Sequence, residues 1–153
     1  MAQEQGKACP KLVILGRRGW KNDNLIHLLD RSPALRDHVI EINDANDNDM
    51  IALLQHSKAL LFPSFAEGWG MPLAEALTLG TPAICADIPA LRECGRHHAT
   101  YLDPLDGLGW KRAILHHINS TEPRQLAKGY QADLWQDHLE TLKNHIHQLD
   151  KLA

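Results

Sequence analysis

Two glutamates, Glu67 and Glu75, stand eight positions apart in a stretch with the features of a ligand site. Gly68 and Gly70 lie between them, followed by Pro72, a residue typical of the first turn of a helix. A glycine loop that leads into a helix exposes backbone N–H groups at the positive end of the helix dipole, which attracts phosphate. Ionised carboxylates accept hydrogen bonds from hydroxyls and can hold a diol. A phosphate together with a polyol indicates a nucleotide sugar.

The elements around this stretch have to position it. The apolar run at residues 59–62 predicts a buried strand before the loop, and the helix predicted from Pro72 to Leu79 ends at Gly80. Further strands are predicted at residues 11–15, 38–42, 83–86 and 98–102. Because strands alternate with helices, we predict an α/β fold with a doubly wound, Rossmann-like parallel sheet. Ligands of such sheets bind beyond the carboxyl ends of the strands, where the two-glutamate loop begins.

Composition limits the class of protein. The 153 residues suffice for one domain, predicted at residues 11–153 after a disordered lead at residues 1–10. With 44% hydrophobic and 23% charged residues, the chain has an ordinary globular composition. The net charge of −3 argues against a nucleic-acid partner, which usually requires a basic face. No apolar run is long enough to cross a bilayer.

Cysteines and histidines give no sign of a disulfide framework or a metal site. The three cysteines, Cys9, Cys85 and Cys94, match no zinc spacing and favour free thiols in a cytoplasmic protein. Ten histidines are present, but His116–His117 and His145/His147 lack the four-residue spacing that places two ligands on one helix face. We therefore expect no metal, and we expect no cofactor, since the nucleotide sugar would be a substrate.

Residues 12–149 resemble the C-terminal, donor-binding half of GT-B-fold glycosyltransferases, in particular the retaining enzymes of family 4, the "group 1" transferases. The resemblance rests on Glu67 and Glu75, which match the family's E-x7-E pattern, and on the short motifs around them. Those motifs are Leu61-Phe62-Pro63-Ser64, Gly68-Trp69-Gly70-Met71-Pro72, Gly80-Thr81-Pro82-Ala83-Ile84 and Asp103-Pro104. A weaker likeness over residues 12–20 is to transferases that place mannose or related hexoses in bacterial surface polysaccharides.

The resemblance implies a role for each matched residue. Glu67 would be the catalytic residue, in contact with the hexose hydroxyls or the charge that develops near the anomeric carbon. The backbone at Trp69, Gly70 and Met71 would approach the sugar and the distal phosphate. Glu75 would bind the two ribose hydroxyls. The nucleotide base would lie near Asn43 and Asp44, where family members often have glycine at the first position.

Two family features have no counterpart in the sequence. The Arg and Lys that hold the donor pyrophosphate belong to a strand-loop that precedes the first strand here, and Arg17, Arg18 and Lys21 occupy a different loop. The N-terminal, acceptor-binding domain is also missing. The resemblance therefore implies a fragment, a split gene product or a truncated relative, inactive in isolation, with an N-terminal domain or chain as partner.

The expected function is that of the donor-binding half of a retaining hexosyltransferase, with mannose as one candidate hexose. Its donor would be a GDP- or UDP-hexose and its acceptor a saccharide, free or lipid-linked. A cytoplasmic location is expected, with peripheral attachment to the inner face of the membrane left open. The alternative is a catalytically silent module that binds nucleotide sugars or a protein partner. A GT-B-like sugar epimerase would share the fold but would need catalytic acids of its own.

Overall fold

A computed structural model describes residues 10–19, 22–120, 129–133 and 135–150. Apart from Pro10, the predicted lead at residues 1–10 lies outside this part of the chain. The chain forms two compact units, Met1–Leu53 and Leu54–Ala153.

The first unit contains a pair of parallel strands, β1 (Leu12–Leu15) and β2 (Val39–Ile42). Leu12 lies opposite Val39 at the start of the pair, and Leu15 lies opposite Ile42 at its end. The connection between the strands holds two helices, α1 (Asp23–Arg31) and α2 (Pro33–Arg36). Helix α3 (Asp47–His56) follows β2. Both strands are short apolar runs bounded by polar segments, as expected for strands in a parallel arrangement.

The second unit is built on three parallel strands in the order β3-β4-β5. They are β3 (Leu60–Phe62), β4 (Ala83–Ala86) and β5 (Thr100–Leu102). Helix α4 (Met71–Thr78) connects β3 to β4, and α5 (Pro89–Gly95) connects β4 to β5. Beyond β5 come α6 (Gly107–Asn119) and α7 (Trp135–Asp150).

The core of the second unit surrounds its central strand. All four residues of β4 are buried, and Leu73 and Leu77 of α4 pack with Leu91 of α5 in the same cluster. Thr81, which precedes β4, is a buried polar residue, and its hydroxyl donates a 2.7 Å hydrogen bond to the Leu54 carbonyl. The hydroxyl is therefore satisfied inside the core, as buried polar groups generally are.

The predicted α/β class is confirmed. Each of the five apolar runs contains a strand, all the strand pairs are parallel, and helices connect them in a Rossmann-like alternation. The strands hydrogen-bond in two groups, one in each unit. At the fifth run the strand is shorter than predicted, because His98 instead closes the turn after α5 through a bond from its N–H to the Gly95 carbonyl.

Helix α4 begins and ends one residue before the predicted bounds of 72 and 79. Gly80 ends it with a φ of +72°, a conformation that glycine adopts without strain. The N–H of Gly80 donates to the Leu77 carbonyl at 3.1 Å and that of Thr81 to the Ala76 carbonyl at 2.8 Å. These two bonds form a complete Schellman motif, which satisfies carbonyls that the helix end would leave unpaired.

Candidate functional site

The loop between β3 and α4 leads directly into an uncapped helix start. Gly70 is the N-cap of α4, with φ 102° and ψ 45°, and no side chain hydrogen-bonds the cap. Its carbonyl accepts the N–H groups of Leu73 at 2.9 Å and Ala74 at 3.2 Å. Met71, the first helical residue, has no intrahelical partner for its N–H, and the first turn holds no acidic residue. The partial positive charge of this helix end is therefore not compensated by a side chain of its own turn.

The sequence requires glycine at position 70 for two independent reasons. Its positive φ is strained for any residue with a Cβ, and an added Cβ would lie 2.6 Å from Leu91 Cδ2 and 3.8 Å from Cys94 Cβ. At Gly68, by contrast, a Cβ would meet nothing within 4 Å. Of the two loop glycines, Gly70 is thus the one that allows the backbone to pack closely on α5.

The two glutamates belong to the loop and to the helix that follows. Glu67 is half-buried and lies three residues before the cap. Glu75 is also half-buried and is the fifth residue of α4, past its first turn. Acidic residues are common in the first turn of a helix, because the helix dipole stabilises their charge. Glu75 lies past that turn, so this effect does not explain its position.

Three other residues of the loop region differ in exposure. The half-buried Trp69 packs against the core of the second unit, which makes its ring a packing group. Met71 is 60% exposed and Phe65 is 70% exposed, both unusual for large apolar side chains. Phe65 belongs to none of the motifs around the two glutamates. Its position two residues before Glu67 could have indicated an apolar surface beside this loop.

The residues assigned to the base lie in the first unit. Asn43 and Asp44 are exposed and form a bend directly after β2. They follow the carboxyl end of a parallel strand, where ligands of α/β folds bind. Their assignment to the base stays a prediction.

Arg18, in the loop after β1, is engaged by carboxylates of its own unit. Its guanidinium binds both oxygens of Asp30, at 3.0 and 2.6 Å, and both oxygens of Glu41, at 3.1 and 2.7 Å. These hydrogen bonds lower the pKa of both carboxyl groups. The arginine thus has a structural role in the first unit. Lys21 lies outside the described residues.

Within the part of the chain that the structure describes, no three histidine, cysteine, aspartate or glutamate side chains converge on a point where a metal could bind. Among the same residues, no helix combines the length and the apolar character needed to cross a bilayer.

Further residues lie behind the loop that no motif in the sequence indicates. Leu91 and Cys94 of α5 lie under Gly70, and the Cys94 thiol lies 3.5 Å from the Gly70 carbonyl oxygen. Tyr130 contacts the same sulfur, with 4.0 Å between its hydroxyl and Cys94 Sγ. No sequence signal points to these contacts, because they join positions 24 and 36 residues apart.

Comparison with known proteins decides the family. The family model described as "Glycosyl transferases group 1" matches residues 3–125, which include the loop and both glutamates. The chain belongs to this family. As a group 1 glycosyl transferase, it combines the family's sequence pattern with a parallel α/β fold, and the predicted membership is confirmed.

Relatives of this group 1 chain include three bacterial proteins. It is 37% identical over 90 residues to the serotype-specific mannosyltransferase WbdA of Escherichia coli, covering 59% of this chain and 11% of that protein. The chain is 28% identical over 116 residues to O-antigen chain mannosyltransferase B of Escherichia coli, which covers 76% of this chain and 30% of that protein. It is 36% identical over 103 residues to the O-antigen chain mannosyltransferase RfbU of Salmonella typhimurium strain LT2, which covers 67% of this chain and 29% of that protein. The chain thus spans less than a third of the length of each.

Proposed function

We propose that this chain is the donor-binding half of a retaining glycosyltransferase that transfers a hexose from a nucleotide sugar to a saccharide acceptor. The observation that carries the proposal is the start of α4, where Gly70 leaves the helix uncapped between Glu67 and Glu75. A sugar diphosphate provides the anion for that helix end and the hydroxyls for the two acids. Mannose is the candidate hexose, because the three relatives named above are mannosyltransferases.

Each part of the donor has a partner in this arrangement. The N–H of Met71 and the positive end of α4 stabilise the charge that develops on the leaving diphosphate. Glu75 accepts hydrogen bonds from the two ribose hydroxyls, and Glu67 contacts the hexose near its anomeric carbon. For the base, the family resemblance suggests Asn43 and Asp44 of the first unit, and GDP and UDP are the two candidates for the nucleotide.

Retention follows if the acceptor attacks the anomeric carbon on the face that the diphosphate leaves. The bond from the anomeric carbon to the phosphate oxygen breaks as the bond to the acceptor oxygen forms. The acceptor proton passes to the departing phosphate, which then serves as the base. This chain therefore needs no nucleophilic side chain, and the proposed reaction requires no metal.

The acceptor site belongs to a separate domain or chain in this proposal. Helix α7 supports that partner, because Leu139, Leu142, Ile146 and Leu149 recur at intervals of three and four residues and are 50–66% exposed. Such a stripe on one side of a helix is the pattern of an interface. We therefore expect the isolated chain to bind the donor without turnover.

A cytoplasmic location agrees with Cys85 and Cys94, which are both free thiols.

A titration of the purified chain tests the proposal. We expect calorimetry to detect binding of GDP-mannose or UDP-glucose by the wild-type chain. Glu75→Ala should weaken that binding by about ten- to a hundredfold, since it removes charge-assisted hydrogen bonds from both ribose hydroxyls. Glu140→Ala, which removes an exposed acid of α7, is the matched control and should bind like the wild type.

Three outcomes separate the alternatives. Binding that Glu75→Ala leaves unchanged removes the ribose role. A wild-type chain that binds no GDP- or UDP-sugar favours the silent module that interacts with a protein partner. Turnover after co-expression with an acceptor-binding half would establish the enzyme, and its loss in Leu142→Asp would place the partner on α7.

A further inference from the structure

A buried thiol supports the loop that the proposed function assigns to the donor. Cys94, the sixth residue of α5, is only 2% exposed. Its Sγ lies 3.5 Å from the carbonyl oxygen of Gly70, the N-cap of α4, and 4.0 Å from the hydroxyl of Tyr130. The sulfur thus lies between the cap of α4 and the segment at residues 129–133.

The direction of both hydrogen bonds follows from counting protons. Burial raises the pKa of the Cys94 thiol, which therefore stays protonated at neutral pH. A carbonyl oxygen can only accept, so the single thiol proton is donated to Gly70. Tyr130 also keeps its proton, because burial raises the pKa of its hydroxyl. The hydroxyl of Tyr130 is consequently the donor to the sulfur.

The segment that carries Tyr130 is itself attached to the end of α5. The Arg96 guanidinium binds the Asp133 carboxylate at 2.7 Å. The His98 ring meets the Tyr130 ring edge-on, with 5.4 Å between their centroids. Tyr130 also packs against the core of the second unit. These contacts hold the tyrosine hydroxyl beside the thiol.

The geometry of the peptide bond carries this restraint into the ligand site. The Gly70 carbonyl and the Met71 N–H belong to one planar peptide unit, and the described residues contain no cis peptide bond. In a trans unit the two groups point in opposite directions. The Gly70 carbonyl already accepts the N–H groups of Leu73 and Ala74, and the hydrogen bond from the Cys94 thiol adds a restraint from α5. A restraint on this carbonyl also restrains the Met71 N–H, which points away from it at the start of α4.

We propose that Cys94 and Tyr130 are positioning residues. They hold the Gly70–Met71 peptide so that the Met71 N–H points at the distal phosphate of the donor, which carries the hexose. The inference rests on the proposed function, because it assumes a sugar diphosphate at the start of α4. It deepens that function by assigning a role to two side chains that do not touch the donor. The ribose contact at Glu75 does not depend on this peptide.

Comparison of two ligands isolates this role from general stability. The affinity of each variant is measured for GDP-mannose and GMP, or for UDP-glucose and UMP if the wild type prefers uridine. We expect Cys94→Ala and Tyr130→Phe to weaken binding of the sugar nucleotide by about three- to tenfold, the effect of one hydrogen bond. The monophosphate lacks the distal phosphate that carries the hexose. Its affinity should therefore stay within about twofold of wild type, a smaller change than the loss of one hydrogen bond causes.

The chain offers two controls. Cys85→Ala shortens a second buried cysteine, in β4, and should leave the ratio of the two affinities unchanged. Cys94→Ser keeps a side-chain donor for the Gly70 carbonyl. It should therefore bring the ratio of the two affinities most of the way back to the wild-type value. If Cys94→Ala does not fold, Tyr130→Phe, which loses only a hydroxyl from a half-buried ring, decides the question.

The inference and the proposed function fail in different ways. If the wild type binds the sugar nucleotide while Cys94→Ala and Tyr130→Phe keep its affinity ratio, the positioning role is wrong and the donor site stands. An equal change of the ratio in Cys85→Ala would also overturn the role, since loose packing would then explain it. If the wild type binds no sugar nucleotide, the donor site fails, and the positioning role fails with it.

Discussion

Replacement of Gly70 by alanine should be among the most damaging small changes in this chain. The positive φ costs a residue with a Cβ about 1–2 kcal/mol. The added methyl group would lie 2.6 Å from Leu91 Cδ2, and relief of such overpacking in a buried position costs about 1–3 kcal/mol. Together these terms predict that Gly70→Ala lowers the free energy of unfolding by about 2–5 kcal/mol.

The assay is urea unfolding followed by circular dichroism, with Gly68→Ala as the matched control. Gly68 has an ordinary φ and open space around a new Cβ, so its substitution should change the unfolding free energy by at most about 1 kcal/mol. The reasoning would be refuted if the two variants unfolded at the same urea concentration with the same slope. That result would mean that the loop can move away from α5 at no cost.

Two further predictions concern the parts of the fold that surround the site. Thr81→Val, which keeps the size of this buried side chain, should lower the unfolding free energy by about 1 kcal/mol, because it removes the bond to the Leu54 carbonyl; a urea curve equal to that of the wild type would contradict this. Arg18 lowers the pKa of Asp30 and of Glu41 in the folded chain. The two carboxylates therefore stabilise the fold at any pH above their pKa in the unfolded chain, which is about 4. This stabilisation is lost as the pH falls through their lower pKa values in the folded chain. Urea unfolding between pH 6 and pH 3 at low salt should show this loss in the wild type and less of it in Arg18→Met; equal losses would exclude the ion-pair network as its cause.

Local patterns were sufficient to predict the elements of the fold. Short apolar runs predicted a strand at all five observed positions, because such runs between turn residues can be buried on both faces of a parallel sheet. Pro72 and Gly80 predicted the bounds of α4 to within one residue, since each acts on the backbone of its own turn. Patterns could not predict how deeply a strand is buried. All of β4 is buried, whereas Leu12, Val13 and Leu15 of β1 are exposed.

The loop and the helix that carry the candidate residues were predictable because a single segment forms both. The loop with Glu67 and the helix with Glu75 follow each other in sequence, so the glycine and proline positions were enough to predict where the helix begins and ends. Support for that loop comes from Cys94 and Tyr130, which lie 24 and 60 residues beyond Gly70 and match no motif. Contacts of this kind depend on tertiary packing, which no local pattern records.

The segment at residues 96–98 shows the same limit. Arg96, His97 and His98 match no motif in the sequence. In the structure, Arg96 ends α5 with a φ of +50° and pairs with Asp133, while His98 contacts Tyr130. These side chains connect two segments of the second unit.

The most direct test of the donor site is a map of backbone amide shifts during titration with GDP-mannose and UDP-glucose. If a sugar diphosphate binds at the start of α4, the largest saturable changes should fall on residues 64–73, with Gly70 and Met71 among them. Saturable changes confined to other segments would contradict the assignment of the donor to this helix end. The absence of any change with both ligands would contradict the donor site itself.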